Sequence, residues 1–167
     1  MFQALIAIGS NLAAPGCADS LATCEAALNA LETHDICIAV RSRWYRTAPV
    51  PASDQPDFVN GLVAVETLLD PASLLAVLHS VEDRFARRRS VPNAARTLDL
   101  DLIDVAGVVR DGPDGPVLPH PRMQERAFVL VPLRDVAPDW RHPRTGQALD
   151  ALLAVLPEGQ RCCPIPS

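Results

Sequence analysis

An α+β fold follows from three features of the 167-residue sequence. Apolar runs of strand length and segments with helical spacing succeed one another in the order β-α-β-β-α-β. An Asp-Ser pair and an Asp-Pro pair stand at the openings of the two long helical stretches. Clusters of Gly, Ser, Asn and Pro separate the pieces. That order predicts one antiparallel sheet with helices on one face and extra C-terminal helical segments.

Residues 3–8 (QALIAI) read as a short strand that ends at the turn-forming cluster Gly9-Ser10-Asn11. Residues 18–33 are rich in Ala and Leu at helical spacing, with Asp19 or Ser20 as cap. A second strand spans 36–46, where β-branched and aromatic residues alternate loosely. Pro49, Pro51 and Pro56 make the next stretch a loop, because proline suits neither a helix interior nor a central strand. Phe58 to Leu68 reads as a third strand. Pro71 at a first helical turn, with Asp70 before it, opens a helix over 71–86 that runs into Arg87-Arg88-Arg89. A loop at 90–95 leads to a strand at 97–104, then a Pro/Gly-rich loop at 110–122 and short helices at 124–136 and 146–156. Residues 1–158 are expected to form one domain and 159–167 a frayed tail. The arrangement is ferredoxin-like, a fold that hosts many chemistries and selects none of them.

Composition narrows the classes. A net charge of −5 argues against general nucleic-acid binding. All 15 basic residues are Arg, so any phosphate-binding cation must be Arg or His. No apolar run approaches the roughly 20 residues of a membrane span. Met1-Phe2-Gln3 carries no basic n-region, and the expectation is a cytoplasmic protein. The five cysteines (17, 24, 37, 162 and 163) show no C-x-x-C spacing and read as reduced and mostly buried.

Arg96-Thr97-Leu98-Asp99-Leu100-Asp101-Leu102 is the most informative stretch. Strand alternation puts the leucines on one face and Asp99 and Asp101 on the other, roughly 6–7 Å apart at the backbone. Two readings are open. The pair is a solvated acidic strand face, or it holds a hard divalent cation that relieves its repulsion.

Four stretches then converge. They are Gly9-Ser10-Asn11-Leu12; Tyr45 to Val50 with Asp54 to Asn60; Arg96 to Asp101; and Leu118-Pro119-His120-Pro121-Arg122 with Arg126-Ala127-Phe128. Together, from about residue 3 to residue 156, the chain resembles the 6-hydroxymethyl-7,8-dihydropterin pyrophosphokinases of folate biosynthesis. The resemblance implies a monomeric enzyme that moves the terminal pyrophosphoryl unit of ATP to the pterin hydroxymethyl group and releases AMP. It implies that Asp99 and Asp101 hold two Mg²⁺ ions, a two-ion arrangement with a spacing of roughly 3.5–4 Å. Arg87, Arg96, His120 and Arg126 would clamp the ATP phosphates, with Arg87 and Arg96 also catalytic. Phe58 and Phe128 would stack on the pterin. Thr47 and Asn60 would bond its pyrimidine edge, helped by backbone groups at Ala48 and Val50. Gln55 and Glu82 match family positions near the site, and a plain exposed helix carboxylate is the other reading of Glu82.

One segment departs from the pattern. Members usually carry Trp-Gly-Pro-Arg before the paired aspartates, and here the run is Asn93-Ala94-Ala95-Arg96. Two other readings follow. One is a pterin- or nucleotide-binding paralogue with weak or no turnover. The other is a different Mg²⁺-dependent nucleotidyl or phosphoryl transferase, against which Thr47, Asn60, Phe58 and Phe128 argue.

Overall fold

The structure, a computed structural model, describes residues 1–85 and 97–167. Ala86 of the helix expected at 71–86, Arg87-Arg88-Arg89, the loop expected at 90–95 and Arg96 lie outside the described residues. The elements are β1 (Phe2–Ser10), α1 (Ser20–Glu32), β2 (Ile36–Arg41), β3 (Tyr45–Thr47), β4 (Phe58–Thr67), α2 (Pro71–Arg84), β5 (Asp99–Val105), a 3₁₀ turn (Met123–Glu125), α3 (Ala127–Val136), α4 (Leu149–Ala154) and β6 (Cys162–Pro164). The sheet runs β5-β1-β4-β3-β6, with β2 also on β4, and its pairings are antiparallel.

Local chemistry explains the helix starts. The Asp19 carboxylate accepts from Ala22 N at 2.8 Å, and that of Asp70 from Ser73 N at 2.8 Å with Pro71 following. Each satisfies an amide that the first helical turn cannot pair. Asp19, not Ser20, is the cap of α1.

The sheet is covered on both faces, which corrects the expectation of helices on one face. Ala4, Ile6, Ile8, Val63, Val65, Leu100 and Leu102 pack with α1 and α2 residues such as Leu28, Leu31, Leu74 and Leu78. Leu5, Ala7, Leu62, Ala64 and Ile103 face α3 and α4 through Val129, Leu130, Leu133 and Leu152. Double cover is why β1 and β4 read as nearly unbroken apolar runs instead of alternating ones.

The strand expected at 36–46 is two strands. The break falls where the Trp44 ring lies on Gly61 of β4, against which a Cβ would approach the ring to 2.6 Å. Ser42 keeps the ladder joined by accepting from Leu62 N at 2.9 Å. Beyond the break, the Tyr45 hydroxyl donates to Asp135 Oδ2 at 2.6 Å and ties β3 to the end of α3. The helix expected at 124–136 is interrupted at Arg126, where the 3₁₀ turn gives way to α3. The segment expected to fray carries β6, which pairs with β3. Of the five free cysteines only Cys24 is buried, while Cys37 and Cys163 are exposed, against the expectation that most are buried. No helix among the described residues is long and apolar enough to cross a membrane.

Candidate active site

The site is built on the sheet face that carries α3, at the end of the sheet this helix leaves uncovered. Register sets its plan. Gly9 of β1 lies between Asp99 of β5 and Asn60 of β4, and Ala7 is opposite Asp101. Strands spaced about 4.8 Å apart put the carboxylate pair and Asn60 roughly 10 Å apart, across a floor of two small residues. The smallness matters. A Cβ at Gly9 would collide with Asn60 Oδ1, whose amide group is buried and donates from Nδ2 to Thr47 Oγ1 at 2.6 Å.

One cavity is lined by Thr47, Ala48, Val50, Phe58, Asn60, Phe128, Asp99 and Asp101 together with Ala7, Ile8 and Gly9. The floor residues Ala7, Ile8 and Gly9 were not expected as site residues. Their signal was the small pair at alternate positions beside the turn cluster. A second, outer cavity shares Val50, Phe58, Asp99 and Phe128 and adds Arg122 and Arg126. An apolar, aromatic slot thus adjoins a cationic vestibule, with the Asp99 carboxylate where the two meet.

Arg126 is held at that junction. Its guanidinium lies 3.8 Å from Asp101 Oδ2 and 5.4 Å from the centre of the Phe128 ring. His120 is brought near the site but not into the slot; it lines a neighbouring cavity with Asp111, Gln124, His142 and Arg144. Its backbone N donates to Ile103 O at 2.8 Å, which pins its loop to β5. His120 Nδ1 accepts from Arg122 N at 3.2 Å, so the neutral ring carries its proton on Nε2. Burial and the charges of Arg126 and Arg122 push its pKa down to about 4, against the opposing pull of Asp99. His120 therefore offers a neutral N–H donor at neutral pH. Because its folded pKa lies below the unfolded value, the unfolded chain binds more protons between about pH 6.5 and about pH 4. Stability should fall as pH drops through that window. His120→Gln should decline less steeply in urea titrations across it, and parallel profiles would show that the ring is not desolvated.

Two family-matched residues have structural roles. Glu82 is fully buried, not an exposed helix carboxylate, and its Oε2 accepts from Leu100 N at 2.9 Å. Leu100 stands between the two aspartates, on the strand at the sheet edge. The placement was legible in the sequence, since Leu74, Leu78, Val81 and Glu82 share one helical stripe. Gln55 Oε1 accepts from Asn11 Nδ2 at 3.0 Å, and the same amide donates to Pro56 O at 3.2 Å. The Asn of the first motif thus fastens the proline loop beside the slot. The expected sites at Arg87 and Arg96 lie outside the described residues.

An aromatic slot with a polar edge, a carboxylate pair and an arginine side by side fit the class of small-molecule transferases. The sequence matches the family model for 7,8-dihydro-6-hydroxymethylpterin-pyrophosphokinase (HPPK) over residues 5–138. It is 42% identical over 153 residues to the 2-amino-4-hydroxy-6-hydroxymethyldihydropteridine pyrophosphokinase of Pseudomonas aeruginosa, covering 91% of this chain and 90% of that one. The enzyme of the same name from Synechocystis is 43% identical over 112 residues, which are 67% of this chain and 56% of the relative's length. The chain belongs to the HPPK family, whose reaction in folate synthesis is transfer of pyrophosphate from ATP to hydroxymethyldihydropterin. Among solved structures, the HPPK-DHPS of Plasmodium falciparum with pteroate aligns at TM-score 0.72 and 14% identity, over 92% of this chain and 44% of that one.

Proposed function

We infer that the family reaction takes place in this pocket, with the hydroxymethyldihydropterin in the inner slot and the ATP phosphates in the outer vestibule. The observation that carries the reading is that the ring slot and the cationic vestibule share Asp99 at their junction. Phe58 and Phe128 hold the ring between aromatic walls. Asn60 and Thr47 supply donors and acceptors to its pyrimidine edge, and the backbone at Ala48 and Val50 extends that edge. The orientation of Asn60 is set by its bond to Thr47 and by the absence of a side chain at Gly9.

Asp99 and Asp101 suit Mg²⁺. That ion is commonly held by one or two carboxylates and completes its shell with water and substrate phosphate. Among the described residues no cluster of three His, Cys, Asp or Glu competes as a metal cage. These two residues would hold two Mg²⁺ ions, which supply charge neutralisation and Lewis acidity when bound. Arg126, and with it Arg87 and Arg96, bind the phosphate oxygens and orient the chain of phosphates toward the slot. His120 donates from Nε2 as a neutral group, adding a bond without a further charge. Val50, Phe58 and Phe128 keep water from the hydroxymethyl group.

The accompanying fold reading is ferredoxin-like, supported by the strand order β5-β1-β4-β3 and the antiparallel pairing. A cytoplasmic monomer is the corresponding reading for location and assembly, and the five free thiols suit a reducing compartment. The test is direct. Incubated with ATP, 6-hydroxymethyl-7,8-dihydropterin and Mg²⁺, the protein should release AMP and one equivalent of pterin diphosphate. Release of ADP would mean a different phosphoryl transfer. Binding of both substrates without AMP would make the chain a binding protein whose substituted 93–95 segment does not support turnover.

A further inference from the structure

The C-terminal tail, beyond the residues 5–138 that match the family model, contacts β3 and the residues next to Phe58 and Phe128. β6 adds to the outer edge of β3, with Cys162 opposite Thr47 and Cys163 opposite Arg46. Ile165 N then donates to Trp44 O at 2.8 Å, and the Ile165 side chain packs on the core beneath. Arg161 reaches Asp57 at 2.6 Å, the residue before Phe58. Gln160 closes the third side. Its Oε1 accepts from Ala127 N at 2.9 Å and its Nε2 donates to Glu125 O at 2.7 Å.

The Gln160 contact is the informative one. α3 begins at Arg126 without a side-chain cap of its own, although its first amides have no partner within the helix. Gln160 supplies the missing acceptor from a segment 33 residues away in sequence. It binds on both sides of Arg126, in the turn before the helix and at its first residue. Phe128 is the next residue along. The far end of α3 is already tied to β3 through Asp135, so the tail secures the end that carries Arg126 and Phe128.

We propose that residues 160–165 are a positioning strap for the pterin slot, with Gln160 the residue that sets the α3 end carrying Phe128. The proposal rests on the reading of the slot as the pterin site. The ladder already pairs Thr47 with Phe58, and the strap adds a side-chain tie from that edge to the start of α3, where Phe128 stands. An aromatic clamp needs its spacing held, because a ring pair that opens by a fraction of an ångström loses much of its contact with the bound ring. A tail that merely covered a sheet edge would need no side chain reaching to α3.

The experiment uses the full chain with Gln160→Ala and Gln160→Glu. Glutamate keeps an acceptor for Ala127 N and places a negative charge at the helix start, where it is favoured. Titration calorimetry should show Gln160→Ala weakening affinity for 6-hydroxymethylpterin about fivefold and, through Arg126, weakening ATP by no more than that, with Gln160→Glu recovering most of both losses. Pterin affinity unchanged in Gln160→Ala, or losses that Gln160→Glu does not recover, overturns the strap. Should the unaltered chain bind no pterin, the reading of the slot fails, and the strap is judged by amide exchange instead. Gln160→Ala must then speed exchange at Ala127 relative to the unaltered chain, and unchanged exchange there overturns the proposal.

Discussion

Replacing Asp101 with Ala should cut AMP production by on the order of 10³-fold, the rate equivalent of about 4 kcal/mol of lost transition-state stabilisation. Asp99→Ala should do the same. Both residues rise from one strand face onto a floor of Gly9 and Ala7, so neither removal is compensated by a neighbouring side chain moving in from β1. Asp101→Ala also frees the Arg126 guanidinium from its contact at 3.8 Å. The polar edge of the slot, at Asn60 and Thr47, lies roughly 10 Å from the carboxylates across Gly9, within the same cavity. Pterin affinity measured by calorimetry without metal should therefore stay within about threefold of the unaltered chain, since the groups proposed to bond the ring are not the ones removed. Single-turnover AMP release, read beside that affinity, separates loss of chemistry from loss of binding. Turnover within about tenfold of the unaltered protein would remove the carboxylates from the reaction.

Glu82→Ala should be the most destabilising change near the site, by about 3 kcal/mol. It deletes a charge-assisted bond to Leu100 N and leaves that amide in a space the carboxylate had filled. The effect should reach the reaction as well. Leu100 N sits between the two aspartates, so a looser β5 edge spreads the directions in which both carboxylates point. Glu82→Gln keeps an oxygen for the amide and should recover most of the stability. Urea denaturation gives the first quantity and kcat the second. A stability loss below about 1 kcal/mol would mean that water replaces the carboxylate.

The legible parts of the site were those whose side chains act from regular elements. Asp99 and Asp101 share a face because strand alternation leaves no other choice. Thr47, Phe58, Asn60 and Phe128 could be picked out by motif, and the structure places them around one cavity with the aspartates. Less legible were residues that act through a register or a remote contact. Gly9 is a turn residue by sequence; only its position opposite Asn60 makes its missing side chain necessary. Gln160 lies in a stretch whose composition reads as a tail, and its partners, Glu125 and Ala127, sit in another part of the chain. Glu82 is an intermediate case, since its helical stripe is apolar but its acceptor role depends on β5 lying at the sheet edge.

By itself the amino-acid sequence determined the helices and most of the strands, the acidic face of β5 and the family. Those properties are local: a cap, a period of two or 3.6, or a short run of residue types. Tertiary structure alone decided that C-terminal helices cover the second face of the sheet. It also decided that strand 36–46 breaks at Trp44, and that residues 160–165 pair with β3 and bond to the start of α3 instead of fraying. Each of these depends on surface buried, or on backbone groups satisfied, between segments far apart in the chain. The energy of such contacts exists only once the segments have met, and no local pattern records it.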